Sequence, residues 1–386
     1  MIHQFNAPQT IIHGAGASKE LLNQIKRLSS KRVFFITDAY IESTGLVQNL
    51  AQTLLDDGIS VAIFSGVQPD PTVQNVLEGL QLLHAHNADT IVAVGGGSPI
   101  DAAKAISILT SNPEPLSQYL GYHKIANAGL PLIAIPTTAG TGSEATKVTV
   151  ITDTLRNVKM MILDAHLMPT VALIDYELTL SMPRSLTAYV GVDTLTHGIE
   201  AYISKKANAM TDPIALSCID LVSKHLYKSW ENSANVDARE GMSLAACQGG
   251  MAFTNSSVCL VHGMSRPLGV QFHLAHGLSN AILLPAVTRF SIIGAVSRYA
   301  TIARTMTFAT MADTDEIACE KLVKGLEDQN KILKVPKLRD CKGVNKDVFE
   351  DVLAKMATDA LASGSPQNNP VVPTAEQIIE LYKQAW

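Results

Sequence analysis

Four side chains in the second half of the chain have the types and the spacing of metal ligands. Asp193 and His197 stand four residues apart, so on a helix they project from one face and can reach the same atom. His262 and His276 lie within one segment that is rich in glycine and apolar residues. One carboxylate and three imidazoles form a donor set suited to a divalent first-row metal. The set contains no thiolate, so Fe²⁺, Ni²⁺, Co²⁺ and Zn²⁺ all remain open.

These histidines have an alternative interpretation as buried, hydrogen-bonded core residues. A single histidine on an apolar helix face, such as His197, is usually of that kind. Glycine directly follows both His262 and His276, and glycine is favoured where another group must approach closely. The residues alone therefore keep two interpretations open, a metal site and a packed histidine cluster.

A second candidate site is the glycine-rich turn in TIVAVGGGSPIDAAKAI. The apolar run predicts a buried strand, and Gly96 and Gly97 would let the backbone approach a ligand. Ser98 is predicted to cap the next helix, with Asp101 three residues beyond it. The free N–H groups at the start of that helix suit a pyrophosphate. The turn is not a G-x-G-x-x-G fingerprint, and a purely structural turn is the alternative.

Further polar side chains follow predicted strands. Asp38 ends the strand-like run KRVFFITD, at the edge where open α/β sheets bind ligands. Its carboxylate could accept hydrogen bonds from a ribose and would repel a 2′-phosphate; a plain helix cap is the alternative. After the run PLIAIP, hydroxyl groups crowd beside glycines at Thr137, Thr138 and Thr141. Such a loop could wrap the ribose and phosphates of a dinucleotide, or be an ordinary polar turn.

The elements that must position these residues change character along the chain. Apolar strand runs alternate with helical segments in the first half, whereas helical periodicity dominates beyond about residue 180. We therefore expect an α/β dinucleotide-binding domain with a parallel sheet over residues 1–181, and an all-helical metal-binding domain over residues 182–386. With 386 residues the chain is too long for one ordinary core. We expect the active site between the two domains, where clefts form.

Composition excludes several classes of function. The net charge is −5, aromatic residues make up 5%, and no basic run occurs, which argues against a nucleic-acid partner. Five scattered cysteines, an odd number without a C-x-x-C pair, indicate reduced thiols and a cytoplasmic protein. The N-terminus lacks the regions of a signal peptide, and the apolar runs are shorter than a membrane span. We therefore expect no membrane partner.

Three long motifs resemble the metal-ligand motifs of the iron-dependent (group III) alcohol dehydrogenase family. They are GVDTLTHGIEAY, VHGMSRPLG and HGLSNAILLP. The similarity covers nearly the whole chain and is closest to the lactaldehyde reductase and 1,3-propanediol dehydrogenase members. It implies a dehydroquinate-synthase-like architecture, a homo-oligomer (dimer or larger), and one catalytic metal, iron by the family's name. The implied ligands of that metal are Asp193, His197, His262 and His276.

The resemblance also implies an NAD cofactor. In the family, an aspartate at the place of Asp38 accompanies NAD rather than NADP. Asp70 stands where many relatives carry asparagine, and Lys159 resembles a lysine that contacts the cofactor riboses, with a solvated surface lysine as the alternative. The implied cofactor-binding residues are Asp38, Asp70, Gly96, Gly97, Ser98, Asp101, Thr137, Thr138, Thr141 and Lys159.

The implied activity is that of an NAD(H)-dependent, metal-dependent alcohol dehydrogenase or aldehyde reductase. It would transfer a hydride to or from a short-chain substrate whose oxygen the metal binds, with His276 in the catalytic set. Two alternatives are a dehydroquinate-synthase-like lyase, which also uses NAD and a metal, and a non-enzymatic dinucleotide sensor. A sensor would have no need of four converging ligands.

One position departs from the family. Close relatives often carry a second histidine, implicated in proton transfer, where this chain has Arg266. Arginine stays protonated and cannot shuttle a proton at neutral pH. The proton path must therefore differ, through His273, ordered water or a ribose hydroxyl of the cofactor. We hypothesise that Arg266 binds an anionic aldehyde; pairing with an acidic side chain is the alternative.

Overall fold

The structure is a computed structural model that describes residues 2–156 and 158–386. The chain divides into two compact units, Asn6–Leu180 and Ser181–Trp386, the second of which includes the N-terminal residues up to Phe5. Each unit is described separately.

The strands belong to the Asn6–Leu180 unit. They are β1 (Thr10–His13), β2 (Arg32–Asp38), β3 (Ser60–Val67), β4 (Thr90–Gly95), β5 (Gly121–Tyr122), β6 (Leu132–Pro136), β7 (Val148–Asp153), β8 (Val158–Leu163) and β9 (Val171–Ile174). Six of them form one parallel sheet in the order β1-β9-β6-β4-β2-β3. The other three form a small sheet in the order β5-β8-β7, with β7 and β8 antiparallel.

The central strands of the large sheet are apolar on both faces because helices cover both sides. Phe34 and Ile36 pack into the core on one face, and Val33 and Phe35 into the core on the other. All four side chains are fully buried. This explains why the strand sequences are continuous apolar runs rather than alternating ones, as is usual for parallel sheets.

The helices of the first unit are α1 (Leu21–Arg27), α2 (Ala39–Ser43), α3 (Leu46–Asp56), α4 (Val73–His86) and α5 (Gly97–Leu109). Those of the second unit are α6 (Arg184–Ile203), α7 (Asp212–Glu231), α8 (Val236–Ser256), α9 (Leu260–Phe272), α10 (His276–Ser291), α11 (Val296–Thr305), α12 (Asp315–Ile332), α13 (Lys346–Ala362) and α14 (Ala375–Ala385). Helix α6 packs against α7, α8 and α10, and every residue from Gly191 to Ile203 is buried. It is therefore the central helix of the second unit.

The fold class expected from the sequence, a parallel α/β unit followed by a helical one, is confirmed. One segment of the described residues, His276–Gly294, is long and apolar enough to cross a membrane by length and composition, with a mean hydropathy of 1.3. The sequence had led us to expect no run of that length. Its 19 residues overlap α10, and 56% of the window is buried inside the protein. A core helix passes the same test, so this segment is weak evidence for a membrane span.

Candidate metal centre and dinucleotide site

Helix α5 begins in the glycine turn after β4, earlier than predicted. Ser98 was predicted as the helix cap, and this is wrong: α5 starts at Gly97, and its N-cap is Gly96. Glycine has no side chain, so no capping hydrogen bond is made there. Gly95 has φ 150°, and a Cβ on it would lie 2.5 Å from Pro99 Cγ, so the turn requires glycine at that position. The first N–H groups of α5 are left without a side-chain cap, which suits an anion.

The predicted threonine loop lies against this turn. A Cβ added to Gly96 would lie 3.4 Å from the Thr138 side chain, and one added to Gly97 would lie 3.0 Å from Thr141 Cγ2. Thr137 continues the ladder, because its N–H donates to the Gly95 carbonyl oxygen at 2.9 Å. The structure therefore brings together the glycines and the threonines that the sequence analysis selected separately.

Asp38 lies at the same edge of the sheet. Its strand β2 is the neighbour of β4, so the carboxyl ends of the two strands are adjacent. Asp38 Oδ1 accepts a hydrogen bond from the Ile41 N–H at 2.9 Å and so caps α2. Oδ2 lies 3.4 Å from the Cβ position of Gly95. One oxygen makes the cap and the other lies beside the glycine turn, so the two interpretations are compatible.

Both carboxylate oxygens of Asp101 accept hydrogen bonds from within the protein. Its Oδ1 accepts from the Ser143 hydroxyl at 2.6 Å, and its Oδ2 accepts from the Val150 N–H at 2.9 Å. Burial raises its pKa. With both carboxylate oxygens engaged, Asp101 holds the loop after β6 against α5, and a direct cofactor contact stays a prediction.

Sequence reasoning missed the buried cation beside Asp101. Lys104 has no exposed surface, and its Nζ donates to Ser143 Oγ, Thr146 Oγ1 and the Val148 carbonyl oxygen at 2.8–2.9 Å. Burial lowers the pKa of Lys104 to about 8, with Asp101 and Glu144 opposing the change, and burial raises the pKa of Glu144 to about 7. The available signal was helical spacing, since Lys104 stands one turn after Asp101.

The structure also brings together Asp70 and Lys159. Lys159 Nζ lies 2.7 Å from Asp70 Oδ1, and 70% of the Asp70 side chain is exposed. An ion pair this exposed contributes little to stability. The paired placement is compatible with both residues facing one ligand, which stays a prediction.

In the second unit, three of the four predicted metal ligands converge. Potential ligand atoms of Asp193, His262 and His276 all lie within 4.8 Å of one another. Asp193 Oδ1 is 3.7 Å from His262 Nε2 and 3.8 Å from His276 Nε2. Ligands about 2.1 Å from a shared ion at tetrahedral angles lie about 3.4 Å apart, so these separations suit one ion. The Asp193 and His262 side chains are buried, whereas 46% of the His276 side chain is exposed, which gives access from solvent.

His197 lies beside this group. Its Nε2 is 3.7 Å from the same Oδ1 of Asp193, as the i, i+4 spacing predicted. The ring stacks on His262 at 4.8 Å between centroids and on Phe253 at 4.5 Å. Phe253 therefore packs directly against a ligand candidate.

A buried carboxylate that the sequence analysis overlooked orients His262. Glu200 Oε2 lies 2.7 Å from His262 Nδ1 and accepts from the Cys259 N–H at 2.7 Å, while Oε1 accepts from the Val261 N–H at 2.6 Å. With these donors around it, Glu200 favours hydrogen on Nδ1 and leaves Nε2 as the lone-pair donor. Glu200 could have been found from its spacing, seven residues after Asp193 on the same face of α6.

The imidazoles of His262 and His276 are neutral at ordinary pH. Burial first, and the neighbouring His197 second, hold the pKa of His262 well below its usual range. The pKa of His276 is also lowered, because its ring is desolvated by the surrounding cluster even though 46% of the side chain is exposed. Burial raises the pKa of Glu200 to about 7, against the opposing hydrogen bonds from Cys259 and Val261. Neutral imidazoles have lone pairs available without first losing a proton, which is the state in which histidine binds metals.

Asn280 was also overlooked. It is fully buried, and its Nδ2 lies 2.6 Å from Asp193 Oδ1 and 3.2 Å from the Nε2 atoms of both His262 and His276. It stands four residues after His276, so helical spacing places it on the same face of α10 as that ligand.

The glycines that follow two of the histidines are explained by packing. A Cβ on Gly263 would lie 2.8 Å from the Pro366 ring, and one on Gly277 would lie 2.7 Å from the Tyr189 carbonyl oxygen. The groups that approach these two glycines closely are therefore other parts of the protein and not a ligand. These glycines let α9 and α10 pack tightly enough to place His262 and His276.

Two further predicted residues lie nearby on α9 or at its end. Arg266 Nη1 donates to Ser365 Oγ at 3.1 Å, and the charge of Arg266 contributes to the low pKa of both His262 and His276. His273 ends α9 in the left-handed conformation with φ 53° and is exposed. Its role in proton transfer stays a prediction.

Both candidate sites fit the groups that the resemblance implied. The donor set of the second unit has the atom types, the separations and the oriented imidazole that a divalent ion needs. In the first unit, the start of α5 has no side-chain cap, and the glycines let the Thr138 and Thr141 side chains pack directly against it, so hydroxyl and backbone N–H groups lie together as a phosphate group needs.

Comparison with known proteins identifies close relatives of this chain. Residues 8–176 match the family model "Iron-containing alcohol dehydrogenase", and residues 187–386 match "Fe-containing alcohol dehydrogenase family, C-terminal". The NAD-dependent methanol dehydrogenase of Bacillus methanolicus is 37% identical over 100% of both chains. The lactaldehyde reductase of Escherichia coli (strain K12) is 38% identical over 98% of both. A crystal structure of 1,3-propanediol oxidoreductase superposes with a TM-score of 0.96 at 34% identity, covering 100% of both chains.

Proposed function

The chain belongs to the iron-containing alcohol dehydrogenase family, and from that premise we propose an NAD(H)-linked, metal-dependent enzyme that interconverts short-chain alcohols and aldehydes. The resemblance found in the sequence is thereby confirmed. The observation that carries the proposal is the convergence of Asp193, His262 and His276 within 4.8 Å. A lyase and a dinucleotide sensor lose support, because the matching family models and the relatives named above are those of dehydrogenases and reductases.

The residues of the second unit would hold one divalent ion. Asp193, His197, His262 and His276 supply the oxygen and nitrogen donors, and Glu200 keeps the lone pair of His262 Nε2 directed at the set. The partly exposed side chain of His276 leaves a path for a small alcohol or aldehyde. When bound, the ion supplies Lewis acidity to the substrate oxygen and the nicotinamide accepts or supplies the hydride.

The residues of the first unit would bind NAD(H). The start of α5 presents backbone N–H groups to the phosphates, with Gly96, Gly97 and Ser98 forming its first turn. Thr137, Thr138 and Thr141 supply hydroxyls beside those glycines. Asp38 Oδ2 lies beside the same turn. We propose that it accepts a hydrogen bond from a ribose and repels a 2′-phosphate, which gives a preference for NAD(H) over NADP(H).

A coupled assay tests the proposed activity. NADH absorbance is followed with a panel of short-chain alcohols and aldehydes, using protein purified anaerobically and analysed for iron, zinc, nickel and cobalt. We expect turnover that is lost on chelation and restored by one divalent metal, and that is faster with NADH than with NADPH. Turnover unaffected by complete metal removal would contradict the proposal.

We propose further that Arg266 favours an aldehyde bearing a carboxylate or sulfonate. The charge of Arg266 lowers the pKa of both His262 and His276, and its guanidinium donates to Ser365 Oγ at 3.1 Å, so a fixed cation lies close to the predicted metal ligands. A charge-assisted hydrogen bond contributes about 1.5–3 kcal/mol, which corresponds to at least about tenfold in affinity.

The test is the ratio of kcat/KM for an anionic aldehyde to that for a neutral aldehyde of equal length. We expect Arg266→Ala to lower this ratio about tenfold. Arg289→Ala is the matched control, because Arg289 forms an exposed pair with Glu327. An unchanged ratio in Arg266→Ala would show that Arg266 does not meet the substrate.

We also propose a cytoplasmic homo-oligomer, dimer or larger, whose partners are its small-molecule substrates and not nucleic acid or membrane. All five cysteines are free and buried, which supports a reducing compartment. Light scattering coupled to size-exclusion chromatography, and fractionation of cells producing the full chain, test the two parts of this proposal.

A further inference from the structure

A buried amide takes part in the cluster of predicted metal ligands. Asn280 has no exposed surface, and its Nδ2 lies within 3.2 Å of the ligating atoms of Asp193, His262 and His276 at once. An amide nitrogen carries two hydrogens, so it cannot donate a separate hydrogen to each of the three atoms. At most two of these contacts are hydrogen bonds.

The oxygen of the same amide, in contrast, lacks a hydrogen-bond partner. Asn280 Oδ1 is buried and has no hydrogen-bond partner among the described residues. A buried acceptor without a partner costs about 1–3 kcal/mol. The side chain therefore directs a donor at the ligand cluster and leaves its acceptor unsatisfied.

With a divalent ion bound, the oxygen of the Asn280 amide, and not its NH₂ group, would be expected to face the cluster. An ion shared by Asp193, His262 and His276 would also be next to the Asn280 amide, because the amide touches the ligating atom of each. An N–H group is repelled by a cation, whereas an amide oxygen is an ordinary ligand of divalent metals. The two ends of the amide have nearly the same shape, so rotation about the last side-chain bond exchanges them without repacking.

We propose that Asn280 is an additional member of the metal centre, with its Oδ1 directed at the ion. It adds a neutral oxygen ligand to the carboxylate and the imidazoles, and an amide oxygen favours harder ions such as Fe²⁺ and Mn²⁺ more than it favours Cu²⁺. This inference rests on the metal-dependent function proposed above.

The test uses Co²⁺ binding to the apo-protein, followed by calorimetry and by the visible absorption of the ion. We expect Asn280→Ala to weaken Co²⁺ binding at least about tenfold and to change the absorption bands, because one oxygen ligand is lost. We expect Asn280→Asp, which keeps an oxygen at the same place, to bind at least as tightly as the wild type.

Asn369→Ala is the matched control. Asn369 is also a buried asparagine of the second unit with an unsatisfied Oδ1, but its Nδ2 donates to Ser291 Oγ and to the Val371 carbonyl oxygen. Both alanine variants remove a buried amide, so thermal unfolding of the apo-proteins reports any loss of folding. The ion-induced rise in Tm should shrink in Asn280→Ala and stay unchanged in Asn369→Ala.

The outcomes separate this inference from the proposed function. Wild-type protein that binds no Co²⁺ would overturn the metal-dependent function and this inference with it. Wild-type binding that Asn280→Ala retains within twofold would overturn the role of Asn280 alone. Asn280→Asp binding more weakly than Asn280→Ala would show that Asn280 acts as a hydrogen-bond donor to Asp193, and would likewise overturn the assignment.

Discussion

Two buried clusters of charged and polar groups, one in each unit, differ in what balances their carboxyl groups. In the first unit, Asp101 and Glu144 are balanced by Lys104, a cation supplied by the chain and held by three hydrogen bonds. In the second unit, the partners of Asp193 are imidazoles and an amide. A cluster that contains its own cation stabilises the fold, whereas a cluster of neutral donors around a carboxylate suits an external ion.

The largest effect should follow from removing a ligand of the second cluster. We expect His276→Ala to lower kcat/KM by at least about 10³-fold, since Lewis acidity is worth several kcal/mol of transition-state stabilisation. Apo-protein stability should change little, because 46% of the His276 side chain is exposed. NADH-coupled kinetics, metal analysis and apo-protein unfolding measure this, with the exposed His84→Ala as control. Full metal content and full turnover in His276→Ala would show that the second cluster does not bind a catalytic ion.

The first cluster should show the reverse behaviour. Lys104→Met leaves Asp101 and Glu144 buried without their cation, and breaking a buried pair costs about 3–5 kcal/mol. We expect denaturant unfolding of the apo-protein to show this loss. The control Lys324→Met should change stability by at most about 1 kcal/mol, because its pair with Asp328 is exposed. Equal stability of both variants would mean that the first cluster does not depend on its lysine.

Stability should also depend on pH through Glu144. Burial raises its pKa in the folded protein to about 7, from an ordinary value of 4.5. Between those values the unfolded chain loses its proton while the folded protein keeps it, so stability falls as pH rises from about 4.5 to 7. The shift corresponds to at most about 3 kcal/mol. Glu144→Gln should flatten the difference in unfolding free energy between pH 5 and pH 7; parallel wild-type and variant profiles would contradict this.

A smaller effect is expected from the residue that orients a ligand. Glu200→Gln replaces one accepting oxygen by an NH₂ group, so either the Cys259 or the Val261 backbone N–H loses its acceptor. We expect Co²⁺ affinity to fall about 10–100-fold, as for other residues that orient metal ligands. Competition with a chelator measures this, with the exposed Glu327→Gln as control. Unchanged affinity would mean that His262 is held by packing alone.

Much of the fold was accessible from periodicity. Continuous apolar runs predicted the parallel strands, because a sheet covered on both faces leaves no polar side for them to show. The start of α5 was misplaced, since Ser98 has a good capping side chain and the chain nevertheless begins the helix after Gly96. The reason is local: Gly95, the last residue of β4, turns the chain at φ 150°, and α5 begins two residues later at Gly97.

Within the candidate site, spacing alone identified Asp193 and His197, because one helix places them on one face whatever surrounds it. Glu200 stands seven residues after Asp193, and Asn280 stands four residues after His276, so each shares a helix face with a ligand candidate. A carboxylate and an amide on a helix are nevertheless common, and the sequence does not mark these two as buried. Their roles arise when α6, α9 and α10 pack together, since only then do Glu200 and His262, or Asn280 and Asp193, come within hydrogen-bonding distance. Residue type and helical periodicity thus determine which face of a helix a side chain occupies. Contacts between residues far apart in the sequence depend on how the helices pack, and no local sequence pattern specifies that packing.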